Sequence, residues 1–321
     1  MTILSQATLQ RLGIETPGPA SVDLRQDTIY EIDPDFWARD APCTYEELAR
    51  NRRRFNGTLE PGAVYSLDTP NPIAGSRRPV RIATRSSLAR LGVIAKGLRR
   101  VRDAPPELIP LVARTYGTRV RVPTDYPLAH AIIFDHSVEP LTAPDTHHTL
   151  AYNDVAVRNP TVLCDGSIAL HARGPFLIYD GEVLDVTHDN NPHFQALPAT
   201  RICLEPGRLY LAMTEPVRIG SYHAGVLHGT WTNGVVHAGA PLVHPLSEGN
   251  QTLEIYVADR RVLSDGQPVC ELRLHRLSVP YRNGHNEQSS RYARQYGRPL
   301  IKSHHDFHAN GSTGTTGDVR T

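Results

Sequence analysis

Short apolar runs separated by turn residues recur along the whole chain. Runs rich in Val, Ile, Leu, Phe and Tyr that are bounded by Gly, Pro, Asn or Asp predict β-strands. The clearest runs are Phe176–Tyr179, Ile202–Leu204, Leu209–Met213, Leu253–Val257 and Val269–Leu274. Helix is predicted mainly at Thr44–Arg53 and at Pro106–Thr115, the second as an insertion. The pattern therefore predicts a mainly β fold with few short helices.

The chain also repeats itself. The motif Leu-Glu-Pro-Gly-x-x-Tyr begins at Leu59 and again at Leu204, an offset of 145 positions (204 − 59). Ser21–Arg25 is loosely similar to Ser167–His171 at an offset of 146 (167 − 21). Because this period is far too long for a solenoid, we expect two tandem copies of one domain, residues 1–155 and 156–308. The Gly-, Ser- and Thr-rich residues 309–321 are predicted to be a disordered tail.

Composition narrows the class of protein. The 321 residues suit two domains, and 40% hydrophobic with 21% charged residues is typical of soluble globular proteins. A net charge of +1 argues against a nucleic-acid partner. No run approaches the roughly 18 apolar residues of a membrane helix, and the N-terminus lacks a signal-peptide pattern. The cysteines are scattered, so we expect a cytoplasmic protein: Cys43, Cys164, Cys203 and Cys270.

Residues Arg85–Gly92 carry the most distinctive chemistry. The octapeptide Arg-Ser-Ser-Leu-Ala-Arg-Leu-Gly follows the β-like segment Pro79–Ala83, which predicts a strand ending in a short helix. Backbone N–H groups and hydroxyls in the first helical turn can bind an anion, and Arg85 and Arg90 can contact phosphate oxygens bidentately. An ordinary capped helix with surface arginines is the alternative interpretation.

This octapeptide resembles the central motif of the dCTP deaminase and dUTPase superfamily. Pro19–Arg25 resembles the opening signature of dCTP deaminases. His244–Ile255 resembles the family stretch Asp-Pro-Gly-Trp-x-Gly-x-x-x-Leu-Glu, which puts Glu254 in register with the catalytic glutamate. Simple alternation along the strand would instead place Glu254 on a solvent face. Arg291–Pro299 resembles the C-terminal Lys-Tyr-x-x-Gln-x-Gly segment that folds over the triphosphate.

The resemblance implies two dUTPase-like β-barrel or β-prism domains and a zinc-free deaminase of a cytosine deoxynucleotide, most simply dCTP. It implies a composite site in which the first copy supplies hydroxyls and arginine and the second supplies the general base and acid. The catalytic residues would be Glu254, Ser86 and Arg90. The substrate-binding residues would be Arg85, Ser87, Ala240, Arg291, Tyr292, Gln295 and Lys302.

Several positions depart from the family pattern. His244 stands where the family has aspartate and Leu242 where an arginine is expected, which argues against dUTP pyrophosphatase chemistry. The first-copy strand expected to hold the glutamate, Ala129–Phe134, has no carboxylate, and Leu227–Trp231 of the second copy lacks the serine and arginine. A non-catalytic nucleotide-binding protein, or a hydrolase of a modified pyrimidine nucleotide, is therefore an alternative function.

Metal and partner expectations follow from the same residues. The Pro-Cys-x-x-Cys motif of zinc nucleobase deaminases does not occur, so no catalytic zinc is predicted. The clusters His147-His148 and His304-His305-x-x-His308 are interpreted as surface histidines. Mg²⁺ is expected only with the triphosphate of the substrate. The expected partners are a pyrimidine nucleotide and further copies of the chain in a homo-oligomer.

Overall fold

The computed structural model describes residues 2–14, 17, 19–26, 28–74, 76–198, 200–229, 235–237 (backbone), 241–282, 296–297 and 299–302. We call residues 2–133 the N-terminal half and residues 143–277 the C-terminal half. The N-terminal half contains α1 (Gln6–Arg11), α2 (Pro34–Ala38), α3 (Tyr45–Arg50) and α4 (Ser86–Ala89). Its strands are β1 (Thr2–Ile3), β2 (Val22–Leu24), β3 (Ile29–Ile32), β4 (Arg52–Arg54), β5 (Thr58–Leu59), β6 (Tyr65–Pro70), β7 (Val80–Thr84), β8 (Val93–Gly97), β9 (Leu108–Thr115), β10 (Val120–Arg121) and β11 (Ala129–Ile133).

The C-terminal half contains one α-helix, α5 (Ala143–Ala151), and a 3-10 turn (Asn191–His193) in its described part. Its strands are β12 (Val155–Val157), β13 (Thr161–Val162), β14 (Ile168–His171), β15 (Arg173–Tyr179), β16 (Leu184–Asp185), β17 (Phe194–Leu197), β18 (Arg201–Leu204), β19 (Tyr210–Ile219), β20 (His223–Gly229), β21 (Val235–His237), β22 (Leu242–Val243), β23 (Glu248–Val257), β24 (Arg261–Ser264) and β25 (Pro268–Leu277). The mainly β prediction is confirmed, and all five apolar runs singled out in the sequence lie largely within strands.

The predicted helix at Pro106–Thr115 is wrong, because this segment forms strand β9. Its buried residues alternate, with Leu111, Ala113 and Thr115 facing the core, which is the period of a strand and not of a helix. Pro110, which lacks the N–H that a helix interior requires, also opposes a helix here. The Thr44–Arg53 prediction is confirmed only in part. Helix α3 begins after Thr44, whose hydroxyl accepts the Glu47 N–H in a capping box, and β4 follows it directly.

The two halves use the same strand order. The sheet β4-β3-β6-β9-β8 corresponds to β17-β15-β19-β23-β21, and β2-β11-β7 corresponds to β14-β25-β20. The repeated motif makes the same contact in both halves: the Glu60 N–H donates to the Tyr65 hydroxyl at 2.8 Å, and the Glu205 N–H to the Tyr210 hydroxyl at 2.9 Å. The pairing of β6 with β9 over Tyr65–Asp68 thus corresponds position by position to that of β19 with β23 over Tyr210–Met213.

Two apolar clusters cross from one half to the other. The shared core combines N-terminal residues such as Leu88 and Leu91 with Leu209, Leu211 and Ile301. The junction cluster consists of Ile3, Ala20, Ala83, Ile132, Phe134, Ala224, Val226, Leu242 and Leu277. Parallel pairing of β1 with β25 and of β10 with β16 also joins the halves. Packing and hydrogen bonds therefore both connect the halves.

The C-terminal half has a core of its own that begins before residue 155. Leu141 and Val155 are buried in this core, and β12 pairs with β19. The segment from about Leu141 onward therefore packs with the C-terminal half, upstream of the 155/156 boundary that the sequence predicts. This core and the shared core lie on opposite faces of the β19–β23 pair, which decides where the site residues point.

Candidate active site

Helix α4 presents the octapeptide side chains at the end of β7. Arg85 is the residue before the helix, and its guanidinium lies over the Tyr126 ring (5.4 Å to the centroid) and 3.4 Å from the Asp23 carboxylate. The Ser87 hydroxyl lies 3.2 Å from that of Tyr126, and Ser87 is buried. Ser86 is half-buried. The Asp23 and Tyr126 contacts hold Arg85 in place, with less freedom than an ordinary surface arginine.

Arg90, at the C-terminal end of α4, is only 5% exposed. Its Nη1 donates a hydrogen bond to the Leu300 carbonyl. Ile301 is fully buried in the shared core, and Asn191 bonds both its N–H (3.0 Å) and its carbonyl (2.9 Å). Lys302 follows and is half-buried. The C-terminal segment 299–302 is thus anchored beside the helix that carries the sequence motif.

Glu254 lies on the face of β23 that meets the N-terminal half. Its neighbours Leu253 and Ile255 point into the C-terminal core, so Glu254 lies on the opposite face. Its cross-strand partner is Leu211, which belongs to the shared core. Tyr256 lies two residues beyond Glu254 on the same face of β23, and its ring centroid is 4.6 Å from that of Tyr116 in the N-terminal half.

Glu254 is 2% exposed, so the solvent-face interpretation is wrong. Burying a carboxylate costs free energy unless nearby polar or charged groups compensate for the lost hydration. A buried carboxylate that lies between two packed halves is therefore a candidate functional group. The α4 motif and Glu254 therefore both border the shared core, from opposite halves.

The strand register identifies the N-terminal counterpart of Glu254. Because Tyr65 pairs with Ala113 as Tyr210 pairs with Ile255, Val112 corresponds to Glu254. The sequence-based choice of Ala129–Phe134 for this strand is wrong, since that segment is β11, the counterpart of β25. Strand β9, which carries Val112, lies in the segment Pro106–Thr115 for which the sequence predicts a helix. The absence of a carboxylate at this position of the N-terminal half remains true.

Two buried histidines lie close to the α4 motif. His130 pairs with Asp23 across β11 and β2, and burial, with smaller contributions from His244 and Arg85, lowers its pKa to about 3. His244 directly follows β22; burial lowers its pKa to about 4, opposed by the Asp23 charge. Some surface of His244 remains accessible, but its Nδ1 is buried. Both rings are therefore neutral at neutral pH, and position 244 offers an imidazole where the family stretch has a carboxylate.

Several predicted site residues lie outside the described residues, namely Ala240, Arg291, Tyr292 and Gln295. Residues 230–234, which come after β20 in the sequence, and residues 303–321 also lie outside the described residues. In the described part of the chain, no group of three His, Cys, Asp or Glu side chains could hold a metal ion. No helix there is both long and apolar enough to cross a bilayer.

Comparison with known proteins finds a dCTP deaminase-like segment in the C-terminal half. Residues 141–277 match the family model described as "dCTP deaminase-like". The dUMP-forming dCTP deaminase of Clostridium acetobutylicum is 28% identical over 119 residues, which are 36% of this chain and 69% of that protein. The corresponding Clostridium beijerinckii enzyme is 25% identical over 119 residues, 36% of this chain and 68% of that protein.

The fold match extends over most of the chain. The crystal structure of the 2'-deoxycytidine 5'-triphosphate deaminase from Agrobacterium tumefaciens superposes with a TM-score of 0.72 and 18% identity. The superposition covers 87% of this chain and 96% of that one. This chain therefore has the fold of that deaminase structure, and its segment 141–277, which includes Glu254, is dCTP deaminase-like in sequence.

Proposed function

We propose that this protein hydrolytically deaminates a cytosine deoxynucleotide, most simply dCTP to dUTP and ammonia. The observation that carries the proposal is Glu254, a buried carboxylate on the face of β23 that packs against the half carrying α4. The dCTP deaminase-like match of residues 141–277 supports it. The names of the Clostridium relatives point to the same base and sugar.

The chemistry assigned to the site is a hydrolysis at C4 of the base. Glu254 takes a proton from water as the water oxygen bonds to C4, and it returns this proton to the amino group, so the C4–N bond breaks and ammonia leaves. The remaining proton of the water moves from the new C4 hydroxyl to N3, which gives the C4 carbonyl of uracil. Ser86 positions the water and the base by hydrogen bonding. Arg90 stabilises the developing charge or holds phosphate.

The triphosphate would be held by cationic and polar side chains from both halves. We assign this role to Arg85, Ser87, Arg291, Tyr292, Gln295 and Lys302, with the Ala240 carbonyl helping to hold the water. Mg²⁺ would enter with the triphosphate and neutralise part of its charge. The anchoring of segment 299–302 beside Arg90 supports a role for the C-terminal segment in closing over the substrate.

We further propose that the reaction ends at dUTP. The Clostridium relatives are named dUMP-forming, which requires hydrolysis of the triphosphate as well. In the dUTPase-like family an aspartate activates water for that second step, and His244 stands at its position. Burial lowers the pKa of His244 to about 4, so its ring is neutral at neutral pH, and an imidazole does not supply the carboxylate that this step uses.

The two halves are best explained as diverged copies that keep complementary parts of one site. The shared strand order and the matching Tyr65 and Tyr210 contacts support this inference. The α4 motif remains in the N-terminal half and the glutamate in the C-terminal half. We also expect a homo-oligomer, which light scattering on the purified chain would measure.

The test is incubation of the purified chain with dCTP and Mg²⁺, beside CTP, dCMP and dUTP, with products separated by chromatography. Glu254→Gln is expected to lower turnover by at least about 10²–10⁴-fold and to leave nucleotide binding nearly unchanged. Glu182→Gln, in an exposed turn, is the matched control.

Retained activity in Glu254→Gln would overturn the assignment of the general base. Formation of dUMP would contradict the proposed role of position 244. Nucleotide binding without product from any substrate would favour the non-catalytic alternative, which the substitutions at Leu242 and His244 motivate. Turnover restricted to a modified pyrimidine nucleotide would identify the protein as a hydrolase of that nucleotide.

A further inference from the structure

A cleft lined by residues of the C-terminal half lies apart from α4 and Glu254. It has a volume of about 600 Å³ and is lined by Arg158, His171, Arg173, Glu215 and Asn250, among others. Glu215 is four residues along β19 from the strand partner of Glu254, roughly 13 Å at the usual rise per residue. The volume is that of a pocket for a small organic ligand.

Two β-bulges bring the polar side chains of this cleft together. The β14–β25 register shifts between Leu170 and His171, and the β19–β23 register shifts between Met213 and Pro216. A bulge turns a side chain away from the regular alternation and is frequent beside functional sites. Here the shifts place His171 and Glu215 in direct contact.

Glu215 fixes the orientation of the His171 ring. Its Oε1 lies 2.9 Å from His171 Nδ1, and its Oε2 accepts the His171 backbone N–H at 2.9 Å. Glu215 is only 6% exposed, so the carboxylate is held in the wall of the cleft. With Nδ1 engaged, Nε2 is the ring nitrogen left to contact a ligand.

A hydrogen-bond network holds the β19 bulge in place. The Thr214 hydroxyl donates to the Glu215 carbonyl at 2.7 Å and accepts the Gln251 N–H at 3.1 Å. The Asn250 amide donates to the Thr214 carbonyl at 2.5 Å. These contacts fix the cleft wall before any ligand arrives, which reduces the entropy cost of binding.

The N-terminal half has no equivalent of this arrangement. By strand pairing, Pro70 opposite Leu108 corresponds to Pro216 opposite Asn250, so Glu215 is the extra residue of the bulge and has no counterpart in β6. Strand β6 pairs with β9 without a register shift from Tyr65 to Pro70. The scaffold therefore does not require the bulge or the buried Glu–His pair. Their presence in one half only indicates a role specific to that half.

Two arginines give the cleft its ligand preference. Arg158 is exposed, and none of the described residues forms an ion pair or hydrogen bond with it. Arg173 lies 3.4 Å from the Asp265 carboxylate at the rim. Guanidinium groups bind phosphate oxygens through charge-assisted hydrogen bonds, and His171 Nε2, which is an acceptor when Nδ1 donates to Glu215, can accept the hydroxyl proton of a singly protonated phosphate group. We propose that this cleft is a second binding site, for the phosphate group of a molecule of nucleotide size.

The experiment follows the imidazole signals of the full-length chain by NMR while phosphate is added at constant ionic strength. The His171 signal is assigned by its loss in His171→Gln. Inorganic phosphate is expected to move this signal saturably. Arg158→Ala is expected to weaken binding about tenfold or more, the effect of losing one charge-assisted hydrogen bond. Because Arg158 is exposed, this variant should fold normally. Arg50→Ala, which removes an exposed arginine of the N-terminal half, should leave the affinity unchanged.

Two further titrations identify the source of the phosphate. If dUMP binds more tightly than inorganic phosphate and deoxyuridine does not bind, the occupant is a nucleotide. Equal affinity for dUMP and phosphate supports a site for the phosphate group alone. An unchanged His171 signal with both compounds, or equal affinity in Arg158→Ala and the wild type, would overturn the proposal. A nucleotide bound only at the α4 site would leave the His171 signal in place.

Discussion

Mild acid is expected to destabilise the packing between the two halves, because this packing buries neutral histidines. His130 is 6% exposed and His275 is 2% exposed. Burial lowers the pKa of His130 to about 3 and that of His275 to about 4, with nearby Arg85 and Arg81, respectively, lowering them further. The ring of His275 packs at 5.4 Å against Phe134 of the junction cluster.

The size of the effect follows from proton linkage. An unfolded histidine binds its proton near pH 6.5, whereas these two remain neutral in the folded chain until about pH 4 or below. Between these values the unfolded state binds more protons, so the free energy of unfolding falls as the pH falls. From pH 7 to pH 5 each histidine costs about 2 kcal/mol, or roughly 4 kcal/mol for both. His244, with its pKa lowered to about 4, adds to the same trend.

Urea unfolding at several pH values between 7 and 5 measures this prediction. Most carboxylates remain ionised in this range, so the histidines dominate the slope. His130→Gln should remove about half of the decrease attributed to the two rings. His136→Gln, whose side chain is 89% exposed in the wild type, should leave the slope unchanged. A free energy of unfolding that is constant from pH 7 to pH 5, or an equal slope in His130→Gln, would refute the reasoning.

Two other substitutions test a contact between the halves and the anchoring of segment 299–302. Gly117→Ala places a Cβ 2.1 Å from the Gly207 carbonyl oxygen at a φ of +71°, so it should cost about 1–3 kcal/mol more than Gly62→Ala, which has a φ of +83° and open space. Thermal unfolding of both variants gives the difference, and equal costs would contradict the clash. Asn191→Ala removes two hydrogen bonds to Ile301, about 2 kcal/mol, and should accelerate hydrogen exchange at Ile301 about 30-fold. Unchanged exchange would show that burial alone holds the segment.

The sequence predicts the strands of this fold well and one segment badly. Apolar runs between turn residues identify β15, β18, β19, β23 and β25, because both the period and the turn chemistry are local properties. The helix prediction for Pro106–Thr115 is wrong although Pro110 is a local signal against a helix interior. The apolar residues of this short window fit a helix and a strand equally, and pairing with β6 and β8 makes the segment a strand.

The candidate site could also be predicted only in part, because motif spacing is a local property of the sequence and burial is not. Glu254 and the α4 residues stand in motifs of fixed spacing, so their identity is readable from the sequence. The burial of Glu254 is not readable there, since alternation alone would place a charged residue in solvent. The cleft lined by His171 and Glu215 depends on two bulges in different strand pairs. A bulge of this kind has no sequence signal comparable to a turn glycine.

The placement of α4 and Glu254 on one chain has a kinetic consequence. Where two surfaces belong to separate molecules, dilution separates them, but here covalent linkage and the shared core fix their effective concentration. The contact between the two halves of the chain therefore forms in a first-order event, whose rate and equilibrium do not depend on the protein concentration. Dilution to nanomolar levels should leave the arrangement around Leu88 and Leu211 intact, whatever larger assembly the chain forms.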